Sequence, residues 1–182
     1  MAIKVFVPRD SAALSVGADA VTAVLVTEAA RRNEAVTLVR NGSRGLLWLE
    51  PLVEVETPAG RIAYGPVTPE AVPGLFQANF LQGGAHALRL GVTEDIPYLK
   101  RQERLTFARV GITDPLALDD CVAHGGYRGL RNALDLPGDQ VVAAVTASGL
   151  RGRGGAAFPT GIKWKTVLET AATQKYIVCN AD

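Results

Sequence analysis

Between Ser148 and Trp164 the chain sets Gly149, Gly152, Gly154 and Gly155 around Arg151 and Arg153, then follows them with Phe158 and Lys163. Glycines without a Cβ let backbone N–H groups come close to a phosphate or a ring face, and a helix starting just after them favours negative charge. Arginine adds a planar fork, lysine a point charge, and phenylalanine a surface that stacks on a flat ring. From Gln140 to Leu168 there is no acidic residue, whereas Arg151, Arg153, Lys163 and Lys165 all fall in that stretch. The pattern suits a phosphorylated, flat-ringed ligand.

Look-alikes differ in spacing or context. A Walker A loop needs Ser or Thr directly after its lysine, and Trp164 stands there. A dinucleotide fingerprint follows a strand, but the residues ahead of Ser148 have helical periodicity. RNA-binding RGG tracts are repeated and disordered, and this run is single. On the residues alone, a glycine-rich connector between helices stays open.

Other reactive residues point to less. Cys121 and Cys179 lie far apart and form no CxxC, so neither a disulfide framework nor a metal site is expected. Cys121 and His124 share a metal-compatible spacing but have no third ligand nearby. Cys179 lies in an apolar run and is expected to be a buried structural thiol. His86 is expected to be solvated, and Trp48 and Trp164 to be core or interface aromatics.

The elements that must position the loop follow from periodicity. The chain has 182 residues, 48% of them hydrophobic and 20% charged, enough for one full core and the start of a second. Its net charge of +1 exerts no general pull on nucleic acid or an anionic membrane. With no long apolar segment, a cytoplasmic protein that neither binds nor crosses membranes is the expectation.

Alternation at Ile3, Val5 and Val7 predicts a strand, and Val21, Val24, Leu25 and Ala29 predict a helix over 18–32. A β-branched run follows at 35–40, then a turn at Asn41 and Gly42. Residues 53–57 and 61–64 predict a hairpin, with a helix start at Thr68 and Pro69. The pattern weakens from 79 to 112, which predicts a linker lying against the next domain. Helices are predicted over 116–124, 127–134, 139–148 and about 159–171, and a buried strand over 176–179.

The run 148–164 together with 175–182 resembles the flavin- and NADH-binding subunit shared by respiratory complex I, NAD-reducing hydrogenases and NAD-dependent formate dehydrogenases. Residues 104–115 and 124–131 look like the lead-in to the same domain, so the resemblance covers roughly 81–182. Residues 41–55 are similar to the cluster-free thioredoxin-like domain of the formate dehydrogenase beta-subunit type.

The resemblance implies an α/β fold. A thioredoxin-like docking domain without cluster ligands would occupy 1–78, and the truncated start of an FMN/NADH-binding domain 113–182. It implies that Gly152, Arg153, Gly154 and Lys163 touch FMN, with Asn180 and Asp182 closing on the flavin. Gly155, Ala156 and Phe158 would face NAD. Family members often carry glycine where Ala157 stands. Ligands for a 4Fe-4S iron-sulfur cluster would lie beyond residue 182.

Hydride would then pass between NAD(H) and FMN, and single electrons between FMN and iron-sulfur centres. The implied partners are a two-iron ferredoxin-like subunit of the 24 kDa type and a molybdenum-containing formate dehydrogenase alpha subunit. A complex I or hydrogenase subunit is the nearest alternative, and a non-enzymatic docking module the more distant one.

Overall fold

The structure is a computed structural model that describes residues 2–179. The chain divides into two compact units, Met1–His124 and Gly125–Asp182. In the first, β1 (Ile3–Phe6) leads through α1 (Ser11–Ser15) and α2 (Ala18–Arg31) to β2 (Val36–Val39), which lies parallel to β1. A hairpin of β3 (Val53–Thr57) and β4 (Gly60–Tyr64) follows, then α3 (Val72–Gln77), β5 (Arg89–Val92) and α4 (Pro97–Lys100). The short helix α5 (Leu118–Ala123) ends the unit.

The sheet order is β2-β1-β3-β4-β5, with β3, β4 and β5 each antiparallel to its predecessor in that order. A parallel pair joined by a helix, beside an antiparallel hairpin followed by a helix, is the α/β layer the residues predict and the thioredoxin-like layout the resemblance implies. The predicted helical stripe is the buried face of α2, where Val21, Leu25 and Ala29 meet Val5, Val53, Val55 and Ile62 of the sheet. Each fully buried valine or leucine contributes about 1.5–3 kcal/mol. Tyr64 sits in this core beneath Phe80, edge to face at 5.9 Å, and its hydroxyl donates to the Gly84 carbonyl at 2.7 Å.

The segment 79–112 differs from the predicted linker. Phe80 and Leu81 join the main core, β5 adds a strand to the sheet, and Leu99 packs with Leu46 and Leu52 in a second cluster. Its hydrophobic side chains are too few per turn for periodicity to show. The strand forms because β4 offers a free edge, and Phe80, Leu81 and Leu99 are buried by the hydrophobic clusters they join. Trp48 is also not a core residue: it is 61% exposed and meets Tyr98 edge to face at 5.2 Å. His86 is half-buried rather than solvated, and its Nδ1 accepts from the Leu88 amide at 3.1 Å.

Three charged side chains, Arg44, Glu50 and Glu54, are buried in this unit. Glu54 on β3 is 1% exposed and receives Nη2 of Arg44 at 2.9 Å and Nδ2 of Asn41 at 3.2 Å. Arg61 on β4 approaches it at 3.7 Å while its guanidinium lies 3.4 Å over the Phe6 ring. Burial works against the charge of Arg44, but the Glu54 and Glu94 carboxylates outweigh it and hold its pKa above the usual arginine value. Burial prevails at Arg61, where the pKa is lowered despite Glu54. It also raises the pKa of Glu50, which accepts from the Leu52 amide and the Ser43 hydroxyl.

Glu54→Ala removes the buried partner of Arg44 and leaves it only the exposed Glu94, which costs about 3–5 kcal/mol. A urea titration should show the unfolding midpoint falling accordingly, whereas the exposed Lys4→Ala, which removes a pair with Glu56 at 3.6 Å, should move it hardly at all.

Candidate functional site

The glycine-rich run belongs to the second unit, where α6 (Arg128–Leu134), α7 (Gly138–Ala147) and α8 (Thr160–Glu169) are the helices. Gly149 stops α7 with a φ of 66°, a left-handed angle that favours glycine. The chain then makes a closed loop. Arg151 and Pro159 form an antiparallel bridge, the Gly152 amide donates to the Phe158 carbonyl at 2.9 Å, and the Thr160 amide donates to the Leu150 carbonyl at 2.9 Å. Inside this neck the Ala157 amide donates to the Gly154 carbonyl at 3.2 Å, and Arg151 Nε donates to the Ala157 carbonyl at 2.7 Å.

The neck delivers the chain straight into the first turn of α8, which no side chain caps. Helices α7 and α8 can approach closely because Gly161 faces Thr146: a Cβ at Gly161 would lie 2.7 Å from the Thr146 Cα. Gly161 is buried, the only buried residue among those described in this unit. Loop and helix start are thereby held as one piece.

Of the residues singled out from the sequence, Gly152, Arg153, Gly154, Gly155, Ala156 and Phe158 lie on this loop, and Lys163 on the first turn of α8. Lys163 Nζ stands 5.6 Å from the Phe158 ring centroid. Phe158, Ile162, Lys163, Thr166 and Val167 line an open, mainly apolar groove of about 400 Å³. Ile162, Thr166 and Val167 were not among the candidates, although their spacing of four and one puts them on the face of α8 that carries Lys163, beside Phe158. Arg153 is exposed and turns back to donate to the Arg151 carbonyl at 2.9 Å.

The glycines differ in what they do. A Cβ at Gly152 would make ordinary contact, 3.7 Å from the Phe158 backbone. At Gly154 and Gly155 a Cβ would meet nothing within 4 Å, and neither residue has a positive φ. Among the described residues neither packing nor a positive φ requires glycine there. Omitting a Cβ at such positions leaves room for close approach by another group. These residues fit a flavin phosphate and ring: bare amides and a cation at the mouth, with an aromatic and an apolar floor beside them.

Two expectations for the C-terminal stretch need correction. Residues 176–179 form no strand: Tyr176, Ile177 and Val178 are 79%, 98% and 89% exposed, and Cys179 is exposed rather than buried. A strand needs a neighbour for its backbone hydrogen bonds, and among the described residues this unit has no strand to offer. Lys175 instead donates to the Val167 and Leu168 carbonyls at the end of α8. Trp164 is 48% exposed and not a core residue. Asn180 and Asp182 lie outside the described residues. His124 Nδ1 lies 3.2 Å from an Asp120 carboxylate oxygen, and among the described residues no group of three His, Cys, Asp or Glu is placed to hold a metal.

Residues 145–182 match the family model of the Nuo51 FMN-binding domain of the complex I 51 kDa subunit. The chain is 52% identical over 83 residues to the NADP-reducing hydrogenase subunit HndC of Solidesulfovibrio fructosivorans, covering 46% of this chain and 17% of that protein. It is 47% identical over 81 residues to an NADH-quinone oxidoreductase subunit of Rhizobium meliloti (strain 1021), covering 44% of this chain and 19% of the relative. The matched region thus spans less than a fifth of these relatives' lengths. Among solved structures, the wild-type thioredoxin-like 2Fe-2S ferredoxin from Aquifex aeolicus is similar at 20% identity and a TM-score of 0.41, covering 50% of this chain and 97% of the ferredoxin. No helix is long and apolar enough to cross a membrane among the described residues.

Gly161→Ala forces α7 and α8 apart, at the cost of about 1–3 kcal/mol typical of overpacking; hydrogen exchange should show both helices losing protection together. Ala157 holds a φ of 43°, which costs a residue with a Cβ about 1–2 kcal/mol. Glycine loses about 0.5–1 kcal/mol more chain entropy on folding. Ala157→Gly should therefore stabilise the loop slightly, seen as slower exchange of the Gly152 and Thr160 amides.

Proposed function

We propose that the loop from Gly152 to Phe158 and the first turn of α8 are the FMN cradle of an electron-transfer flavoprotein subunit. That subunit would move a hydride between NAD(H) and FMN and pass single electrons to or from iron-sulfur clusters. The observation that carries this reading is the pair Gly154 and Gly155, bare of Cβ where the chain itself has no use for the space. The match of residues 145–182 to an FMN-binding family supports it. FMN, when bound, supplies the conversion between two-electron and one-electron transfer, and the protein supplies position and electrostatics.

In this reading each residue has a binding task. Gly152 and Gly154 lie against the flavin with no Cβ in the way, and Arg153 swings from the Arg151 carbonyl to pair with its phosphate. Lys163 offers a second positive charge from the helix start, where the amide dipoles add to it. Gly155 and Ala156 leave room for the nicotinamide cofactor, and Phe158 provides a ring face against it. Asn180 and Asp182 would close on the flavin. No side chain here has to give or take a proton. A 4Fe-4S cluster, with ligands expected beyond residue 182, completes the electron path.

The thioredoxin-like unit has no cysteine ahead of Cys121, so its task in this reading is docking rather than redox chemistry. The setting we favour is a cytoplasmic NAD-dependent formate dehydrogenase, with a 24 kDa-type two-iron subunit and a molybdenum-containing alpha subunit as partners. Its support is the similarity of residues 41–55 to the fused domain of that type. A hydrogenase or complex I setting is the second reading, favoured by identities of 52% and 47% to subunits of those names. Formate-dependent reduction of NAD⁺ by the purified complex separates the two.

Arg153→Ala and Lys163→Ala in the full-length subunit should each lower flavin content by about tenfold or more, the loss of one charge-assisted contact to phosphate. Flavin measured by absorbance after gel filtration checks this, and full flavin content in both variants would remove the cradle from consideration.

A further inference from the structure

We infer that residues 104–113 form a strap latched to the first unit by the Arg44–Glu54–Arg61 ion group, which holds or releases the stretch as one piece. The strap contains no helix or strand. Its largest apolar side chains face outward, Leu105 at 81% and Phe107 at 66% exposure, so burial of those groups does not hold it down. Its attachment is polar and runs through its backbone.

Arg61 donates from Nη1 to the Gly111 carbonyl at 2.7 Å and from Nη2 to the Ile112 carbonyl at 3.1 Å. Asn41 Nδ2 donates to the same Gly111 carbonyl at 2.7 Å, and Arg104 Nη2 donates to the Arg44 carbonyl at 3.1 Å. Gly111 is buried with a φ of 81° and rests on the Arg44 stem, where a Cβ would come within 3.1 Å of Cγ. The donors are aimed by Glu54: the carboxylate that pairs Arg44 and Asn41 also draws Arg61. The strap and Tyr98 wall a groove of about 660 Å³ beside Ser43 and Arg44, which therefore exists only while the latch is closed. The point at which the chain leaves the sheet for α5 is thus fixed by a buried ion group rather than by the hydrophobic core.

Hydrogen exchange of the 182-residue chain with Arg61→Met tests the latch, since methionine keeps an apolar stem of similar length beside Phe6 but donates to neither carbonyl. Exchange at Val110, Ile112 and Thr113 should accelerate about tenfold or more, with the β3 and β4 amides within about twofold of the parent chain. Tryptic cleavage after Arg104 and Arg109 should accelerate alongside. Unchanged exchange in 110–113, or equal acceleration of strap and sheet, overturns the proposal. Should Arg61→Met fail to fold, Arg61→Lys, which keeps a charge near Glu54 but ends one bond short of the guanidinium nitrogens that reach the two carbonyls, provides the same comparison.

Discussion

A carboxylate placed in the middle of a sheet has to be paired, because an isolated buried charge costs several kcal/mol. Glu54 is that carboxylate, and much of the first unit is arranged to answer it. Asn41 and Arg44 come from the loop after β2, and Arg61 comes from the neighbouring strand. Because Arg44 and Arg61 have donors left over, they also reach Glu94 and the backbone of residues 111–112. A single acidic residue thus links the sheet, the 41–44 loop and the stretch leading to α5. The apolar core of α2 on the sheet gives the unit its bulk stability, whereas the ion group fixes which loops lie where.

The parts of this fold that were legible in the sequence are those governed by periodicity. The α2 stripe, the β3–β4 hairpin and helices α6, α7 and α8 all stand within a few residues of their predicted bounds. What periodicity could not show was pairing at long range. The strand β5 is four residues interrupted by Gly91, and it exists because β4 presents open hydrogen-bonding groups. The apolar run 176–179 has the right composition for a strand but no partner among the described residues, so composition misled. Glu54 reads as an ordinary polar position in an alternating strand, and nothing local announces that three donors from elsewhere will surround it.

The glycine-rich loop was legible as a chemical pattern, and its geometry adds a distinction that the letters alone do not carry. Gly149 is needed for its backbone angle, Gly161 for the closeness of two helices, and Gly152 sits in ordinary contact. Gly154 and Gly155 answer to none of these needs. Sorting glycines by cause leaves the two that stand at the loop mouth, beside Arg153 and within the same closed neck as Phe158. The second unit otherwise buries little, with Phe158, Ile162, Val167 and Leu168 each more than 40% exposed. Its rigidity comes from backbone closure and the α7–α8 contact.

The two outer strands of the sheet, β2 and β5, are each only four residues long, and β5 carries a glycine at a φ of 94°. Short, kinked borders offer few consecutive amides for a foreign strand to copy. Growth of the sheet by stacking copies edge to edge is thereby discouraged, and recognition of this unit by another protein has to work through side chains on its faces. Such recognition can be rewritten one residue at a time, without disturbing the backbone ladder beneath.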